Sequence, residues 1–397
     1  MKKFLFSLFL TIICGNALAE NWQYRLPDKT FVANLSIPGA HDAATGSGWG
    51  SGLLGAFGNT YARTQDLTIA QLWSCGVRAF DLRPCLYDGY MNLNHGIVPT
   101  AIRFENTMFQ LRDSLIKNPS EFIIIHLLHE TDGDQVEDSY NDRIVAFLQS
   151  DEIKDFLVDY KRNLTAGEMR GKILVLSRDK YATRPIGGFL LNWKVDNVNW
   201  AEQTAGKIQG AKSTIQGSLY MQDYADTHNE GGVQTKLDAI KKMLDYSTKH
   251  NASIASSIHW YFNFASAYSK VGTIPLIGTT VSLSDGYRDN ASHTNTFIVD
   301  YLKENTPGPT GIILMDYAGV EKSNGYNVCG SQLVQALIDN NFGYIEDVPV
   351  GIEATENLLP SNTTSFRHSL YDLSGRPISE PAKKGIYIQN GKKRIIR

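Results

Sequence analysis

The chain has 397 residues, long for one domain and sufficient for a large domain with an appendage. With 42% hydrophobic and 20% charged residues and a formal net charge of -3, it has the make-up of a folded soluble protein. A near-neutral chain without a basic tract lacks the electrostatic term that dominates nucleic-acid binding, which excludes that class of partner.

Lys2 and Lys3 precede an apolar run from Phe4 to Cys14, and Asn16-Ala17-Leu18-Ala19 supplies small residues before Glu20. This predicts a signal peptide over residues 1–19 and export of the mature protein to the extracellular space, cell surface or periplasm. Cys14 raises a lipoprotein reading, against which stands Ile13 where a small residue is expected. No later run is long and apolar enough to span a bilayer. Removal of the signal leaves Cys75, Cys85 and Cys329, an odd set that admits at most one disulfide; all three read as buried small hydrophobes.

Leu35-Ser36-Ile37-Pro38-Gly39-Ala40-His41-Asp42 reads as a buried strand that Pro38 and Gly39 stop, placing His41 and Asp42 on the loop at its carboxyl end. Taken alone, the pair fits a histidine in an ordinary turn as well as a catalytic group. A glycine-rich stretch from His41 to Arg63 reads as a loop or rim. Gln65 to Cys75 has helical spacing with Gly76 as its stop. Val77 to Arg83 is a strand whose alternation puts Ala79, Asp81 and Arg83 on one face. Met91 to His95 ends in Asn94-His95-Gly96, a second histidine after an extended segment.

Beyond it come a helix from Arg103 to Lys117 and a strand from Phe122 to Leu128, apolar enough to be buried on both faces. Helices over 134–149 and 152–160 lead to a strand, Lys172 to Arg178. A strand from Ser218 to Asp223, a helix from Val233 to His250 and a strand from Ala252 to Trp260 continue the alternation. Residues 261–290 read as irregular and rich in aromatic residues, either packed back on the domain or forming a rim against an amphipathic surface. A helix over 292–304, a strand from Gly311 to Asp316 and a helix over 331–339 close the series. About eight strands alternating with helices over residues 21–347 predict a parallel α/β architecture of the (β/α)8 barrel type, within a domain bounded at 20–350. Residues 351–397 read as a linker and a small β module with an Asn390-Gly391 hairpin. This tail resembles small β modules that end many exported Bacteroidetes proteins.

Residues at predicted strand ends are His41, Asp42, Arg83, His95, Arg178, Asp223 and Asp316. Two histidines with carboxylates and an arginine suit phosphoryl transfer, one imidazole acting as base and the other as acid. The arginine offers a permanent planar cation for phosphate oxygens.

Ser36-Ile37-Pro38-Gly39-Ala40-His41-Asp42, Arg78-Ala79-Phe80-Asp81-Leu82-Arg83, Asn94-His95-Gly96, Asn118-Pro119-Ser120-Glu121, Gly171-Lys172-Ile173 and Met315-Asp316-Tyr317 occur in the order found in bacterial phosphatidylinositol-specific phospholipases C. The resemblance covers residues 25 to 345. It implies an irregular TIM-type barrel and cleavage of the phosphodiester by the inositol 2-hydroxyl, giving diacylglycerol and a cyclic inositol phosphate. By matching position, His41 is the general base held by Asp316, and His95 the general acid held by Asp42. Arg83 neutralises the phosphate, Arg178 and Asp223 bind inositol hydroxyls, and Tyr224 stands near the tyrosine that stacks on the ring. One departure is Leu128, where the family often has a lysine that contacts inositol.

The resemblance further implies metal-independent catalysis without a cofactor and a monomer that meets phosphatidylinositol, or its glycosylated forms, in transient contact with a membrane. Two alternatives stay open: a barrel phosphodiesterase for another lipid head group, and a non-catalytic lipid or carbohydrate binder.

Overall fold

The computed structural model describes residues 21–179, 185–195, 206–212, 216–228, 232–249, 259–276 and 279–346, with 370–371, 377–378, 385–389 and 392–396 of the C-terminal region. It divides into two compact units, Met1–Asp347 and Val348–Arg397.

The strands of the larger unit are β1 (Ser36–Ala40), β2 (Ala79–Leu82), β3 (Pro84–Tyr87), β4 (Tyr90–His95), β5 (Val98–Arg103), β6 (Ile123–Leu127) and β7 (Ile173–Ser177). They continue with β8 (Gly188–Leu191), β9 (Gly206–Gly210), β10 (Gln216–Gln222), β11 (His259–Phe264), β12 (Ser269–Leu276), β13 (Thr279–Asp285) and β14 (Gly311–Met315). A closed barrel runs in the order β1-β14-β11-β10-β9-β8-β7-β6-β2. Its pairings are parallel except at β9, which is antiparallel to both β8 and β10. The predicted α/β barrel is therefore present, made irregular by one reversed strand. The central strands β1, β6, β7 and β14 are buried along their whole length, as their unbroken apolar runs require. In β9, by contrast, the exposed Lys207 alternates with buried neighbours.

The wall is tight where the site will form. A Cβ on Gly39 in β1 would meet the Leu314 side chain of β14 at 2.7 Å, so only glycine lets these strands approach so closely. Inside the wall, β-branched and leucine side chains from β1, β2, β6, β7 and β14 form one core with Phe80, Phe262 and Phe264.

Several expectations are corrected. The glycine-rich stretch after His41 is not a plain loop: it contains a 3-10 turn and the helix Leu53–Tyr61. Glycines at 55 and 58 serve contact there, since a Cβ would run into the Gly50 carbonyl or the Trp49 ring. Residues 84–103 form an antiparallel sheet, β3-β4-β5, that carries His95 at the end of β4. The helix read over 134–149 begins at Tyr140, capped by Ser139, and 152–160 holds only a 3-10 turn. The strand expected over 252–260 is observed at His259–Phe264; residues 251–258 lie outside the described residues. Consequently Trp260, Tyr261, Phe262 and Phe264 are buried barrel residues rather than a rim, and β12 and β13 form a hairpin where irregular chain was expected. Cys85 is buried, but Cys75 and Cys329 are half-buried, and all three are free thiols.

The smaller unit contains a four-stranded antiparallel sheet of Leu370–Tyr371, Pro377–Ile378, Gly385–Gln389 and Lys392–Ile396. Gln389 pairs with Lys392 across the expected hairpin, whose Asn390-Gly391 tip lies outside the described residues.

Candidate active site

β1 and β14 are neighbours in register, Ala40 facing Met315, so the residues that follow them, His41 and Asp316, emerge side by side. His41 Nδ1 is 2.7 Å from Asp316 Oδ1. The Gln65 side-chain amide donates to the carbonyls of both His41 and Met315, at 2.8 and 2.9 Å, and clamps the two strand ends together. With Nδ1 donating to the carboxylate, the neutral imidazole presents Nε2 as its basic nitrogen.

Asp42 follows in a left-handed conformation, φ 41°. An aspartate tolerates this region better than most residues, and here the turn swings its carboxylate back over the barrel mouth. Its Oδ2 lies 3.3 Å from His41 Nε2 and 3.6 Å from His95 Nε2, while Oδ1 lies 3.0 Å from Arg83 Nε. The two imidazole rings are 6.4 Å apart, edge to face. His95 Nδ1 donates to the Ala62 carbonyl at 2.7 Å, so its Nε2 also points toward the space beside Asp42.

Arg83 completes the group. It pairs with Asp81 at 2.9 Å through Nη2 and approaches Glu130 to 3.6 Å. Asp81 is fully buried and accepts from Arg83, from the backbone N–H of Asp42 at 3.2 Å and from His126 Nδ1 at 2.7 Å. Burial opposes its ionisation, yet Arg83 and His126 hold its carboxyl well below the usual carboxylate range. Burial likewise works against the Arg83 cation, but Asp42 and Asp81 carry it well above its ordinary value. For His41, burial alone would favour the neutral ring; Asp42 and Asp316 outweigh it and raise the imidazole above its ordinary value.

A second group sits beside the first. Arg178, just past β7, lies 3.4 Å from Asp223, just past β10, and its guanidinium covers the Trp193 ring at 4.6 Å. Trp193 Nε1 donates to Asp223 at 2.8 Å. Leu128, Arg178, Asp179, Trp193, Lys207 and Gln209 help to line a cleft of about 900 Å3. The structure thus gathers His41, Asp42, Arg83, His95 and Asp316 at one end of the barrel and pairs Arg178 with Asp223. The Tyr224 ring is buried, and its carbonyl accepts from Lys236 at 2.5 Å.

No family model matches the chain. Among curated proteins, a 1-phosphatidylinositol phosphodiesterase of Staphylococcus aureus is 25% identical over 367 residues, covering 86% of this chain and 100% of the relative. A protein of the same name from Listeria monocytogenes is 24% identical over 327 residues, covering 79% of this chain and 88% of the relative. Crystal structures of the phosphatidylinositol-specific phospholipases C of the two organisms superpose with TM-scores of 0.62 and 0.57. Their identities are 22% and 23%, each covers 81% of this chain, and 98% of each relative is matched. Over four fifths of its length the chain is similar in sequence and fold to bacterial phosphatidylinositol-specific phospholipases C.

That likeness makes the differences from a sequence-only view of the site informative. Ala62, Gln65, Glu130 and Trp193 escaped it. A backbone carbonyl such as that of Ala62 carries no sequence signal, and Gln65 and Trp193 reach the site from segments whose course depends on barrel closure. Glu130, three residues past the end of β6, carries the one usable signal, that of an acid near a strand end. His126 is buried against Asp81. His41, Asp42 and Asp81 offer atoms within 4.8 Å of one another that could hold a metal ion. Arg83 stands 3.0 and 2.9 Å from the two carboxylates and already supplies positive charge to them.

Proposed function

We propose that the mature protein is exported and cleaves phosphatidylinositol, or a glycosylated form of it, by attack of the inositol 2-hydroxyl on the adjacent phosphodiester. The observation that carries this reading is the placement of Asp42 Oδ2 between the Nε2 atoms of His41 and His95, with Arg83 on its other oxygen. Neutral His41 Nε2 takes the 2-hydroxyl proton as the oxygen–phosphorus bond forms. The bond from phosphorus to the diacylglycerol oxygen breaks, and that oxygen takes a proton from His95 Nε2. Diacylglycerol leaves and the inositol retains a cyclic phosphate; one proton enters His41 and one leaves His95, and exchange with solvent restores both before the next turnover. Asp316 fixes the His41 tautomer and favours its protonated form as the proton arrives. Asp42 Oδ2 stands 3.6 Å from the His95 Nε2 that gives up the proton. Arg83 meets charge developing on the non-bridging oxygens, a task that otherwise falls to a metal ion, and this supports catalysis without metal or cofactor.

Arg178, Asp223 and Trp193 form the wall for the inositol ring, cation and carboxylate binding hydroxyls while the indole covers a ring face. Leu128 stands where the family often has a lysine, which supports a second reading with a different lipid head group. Transient membrane contact as a monomer fits the helix Leu53–Tyr61, on which Leu53 is 69% and Phe57 38% exposed. The signal-peptide pattern of residues 1–19 supports export.

The purified mature protein, incubated with phosphatidylinositol and with phosphatidylcholine vesicles, with and without EDTA, tests the proposal by phosphorus NMR. The expected result is cyclic inositol phosphate from phosphatidylinositol alone, unaffected by EDTA. Absence of that product would overturn the activity, and loss with EDTA would overturn the metal-free mechanism.

A further inference from the structure

The mechanism leaves the buried ring of His126 unused. His126 lies in the middle of β6, opposite Asp81 of β2 in the register of the barrel wall, and is 1% exposed. Its Nδ1 is 2.7 Å from Asp81 Oδ1. The other ring nitrogen, Nε2, is buried and has no hydrogen-bond partner among the described residues. Around the imidazole stand aromatic rings: Trp193 at 5.3 Å, and Phe262 and Phe264 each at 5.8 Å, between centroids.

These contacts determine the state of the ring. An N–H buried against aromatic carbon with no acceptor costs about 1–3 kcal/mol, and a whole imidazolium costs more. The proton therefore belongs on Nδ1, facing the Asp81 carboxylate, and Nε2 is a bare lone pair. Burial lowers the imidazole below its ordinary value despite the attraction of Asp81, in agreement with a neutral ring.

Neutrality matters because of what else Asp81 holds. Its Oδ2 accepts from Arg83 Nη2 at 2.9 Å and from the backbone N–H of Asp42 at 3.2 Å. One anion thus aims the phosphate-facing arginine and secures the left-handed turn that carries Asp42, next to His41. A protonated His126 would compete with Arg83 for that single negative charge. A neutral one directs Oδ1 with a hydrogen bond and leaves the charge to Arg83.

We propose that His126 is a positioning residue for this reaction, acting through Asp81 to orient Arg83 and the Asp42 turn. It rests on the phosphodiester-cleaving reading of the site, but one arm of its test does not require turnover.

Two amide variants separate the roles of the ring nitrogens. His126→Asn keeps a donor near the position of Nδ1, whereas His126→Gln moves its amide toward the position of Nε2 and better preserves side-chain length. The proposal expects H126N to retain kcat on phosphatidylinositol within about threefold and H126Q to lose about 10–100-fold, with KM changed far less in both, because Arg83 acts on developing charge. A packing role predicts the opposite order or equal losses, and either result at comparable melting temperatures would overturn the proposal.

The second arm is nitrogen-15 NMR of the unmodified protein. A neutral His126 protonated on Nδ1, with a slowly exchanging Arg83 Nε–H, is expected; a His126 protonated on Nε2 or on both nitrogens would overturn it. Failure of the unmodified protein to cleave phosphatidylinositol would count against the proposed function, while the tautomer would still decide the positioning claim.

Discussion

His41 Nδ1 lies 2.7 Å from Asp316 Oδ1, which turns His41 Nε2 toward Asp42, the same carboxylate that stands at His95 Nε2. The two imidazoles are thereby given unequal supports: a buried carboxylate behind one and the Ala62 carbonyl behind the other. The carboxylate behind His41 fixes Nδ1 as the protonated nitrogen and leaves Nε2 bare, the form a general base needs.

Asp316→Asn should lower kcat by about 10²–10⁴-fold and also move the pH profile. Asp42 and Asp316 raise the His41 imidazole against the effect of its burial, and the base works only when neutral. Activity in the unaltered protein should therefore rise with pH through a value above that of an ordinary imidazole. Removing the Asp316 charge lowers that value, so the acidic limb of kcat/KM should shift to lower pH. A limb that stays in place or moves up would show that Asp316 does not support the titrating base.

His95→Ala and His41→Ala should each abolish measurable turnover of phosphatidylinositol. They should differ on an inositol phosphate ester with a nitrophenolate leaving group, which departs without a proton. There H95A should recover most of its loss, about 10²–10⁴-fold, and H41A should not. Equal recovery would remove the assigned division of labour.

Arg83→Lys keeps a positive charge but loses the fork that meets Asp81 and Asp42 together. The expected loss in kcat is about 10²–10³-fold, with little change in KM. Steady-state kinetics on vesicles measures it; a mainly KM effect would make Arg83 a binding residue instead.

Trp193→Phe retains a ring beneath Arg178 and removes the Nε1 donor to Asp223. The expected effect is a rise in KM for phosphatidylinositol of about 3–10-fold, the worth of one hydrogen bond, with kcat close to unchanged. An unaltered KM would exclude Trp193 from the head-group wall.

Leu53→Ser combined with Phe57→Ser should weaken activity on vesicles while leaving a water-soluble inositol phosphodiester unaffected, since both side chains face outward from the helix that bears them. Parallel losses on both substrates would indicate damage to the site itself.

The sequence by itself determined where β1, β2, β6, β7, β10 and β14 run and which polar residues end them, because apolar runs broken by glycine, proline or charge are local signals. His41, Arg83 and Asp316 could be named from such runs, and the order of their motifs sufficed to indicate the family. The exposed helix at Leu53–Tyr61, the reversed β9 and the aromatic residues of β11 within the wall were not legible. Their patterns are short or ambiguous, and their places follow from contacts made only once the barrel closes. Tertiary structure alone decided that Asp42 lies between both imidazoles, that Ala62 supports His95 and that Asp81 joins His126 to Arg83. Those relations depend on strand register, which a one-residue slip would reverse and which no single segment specifies.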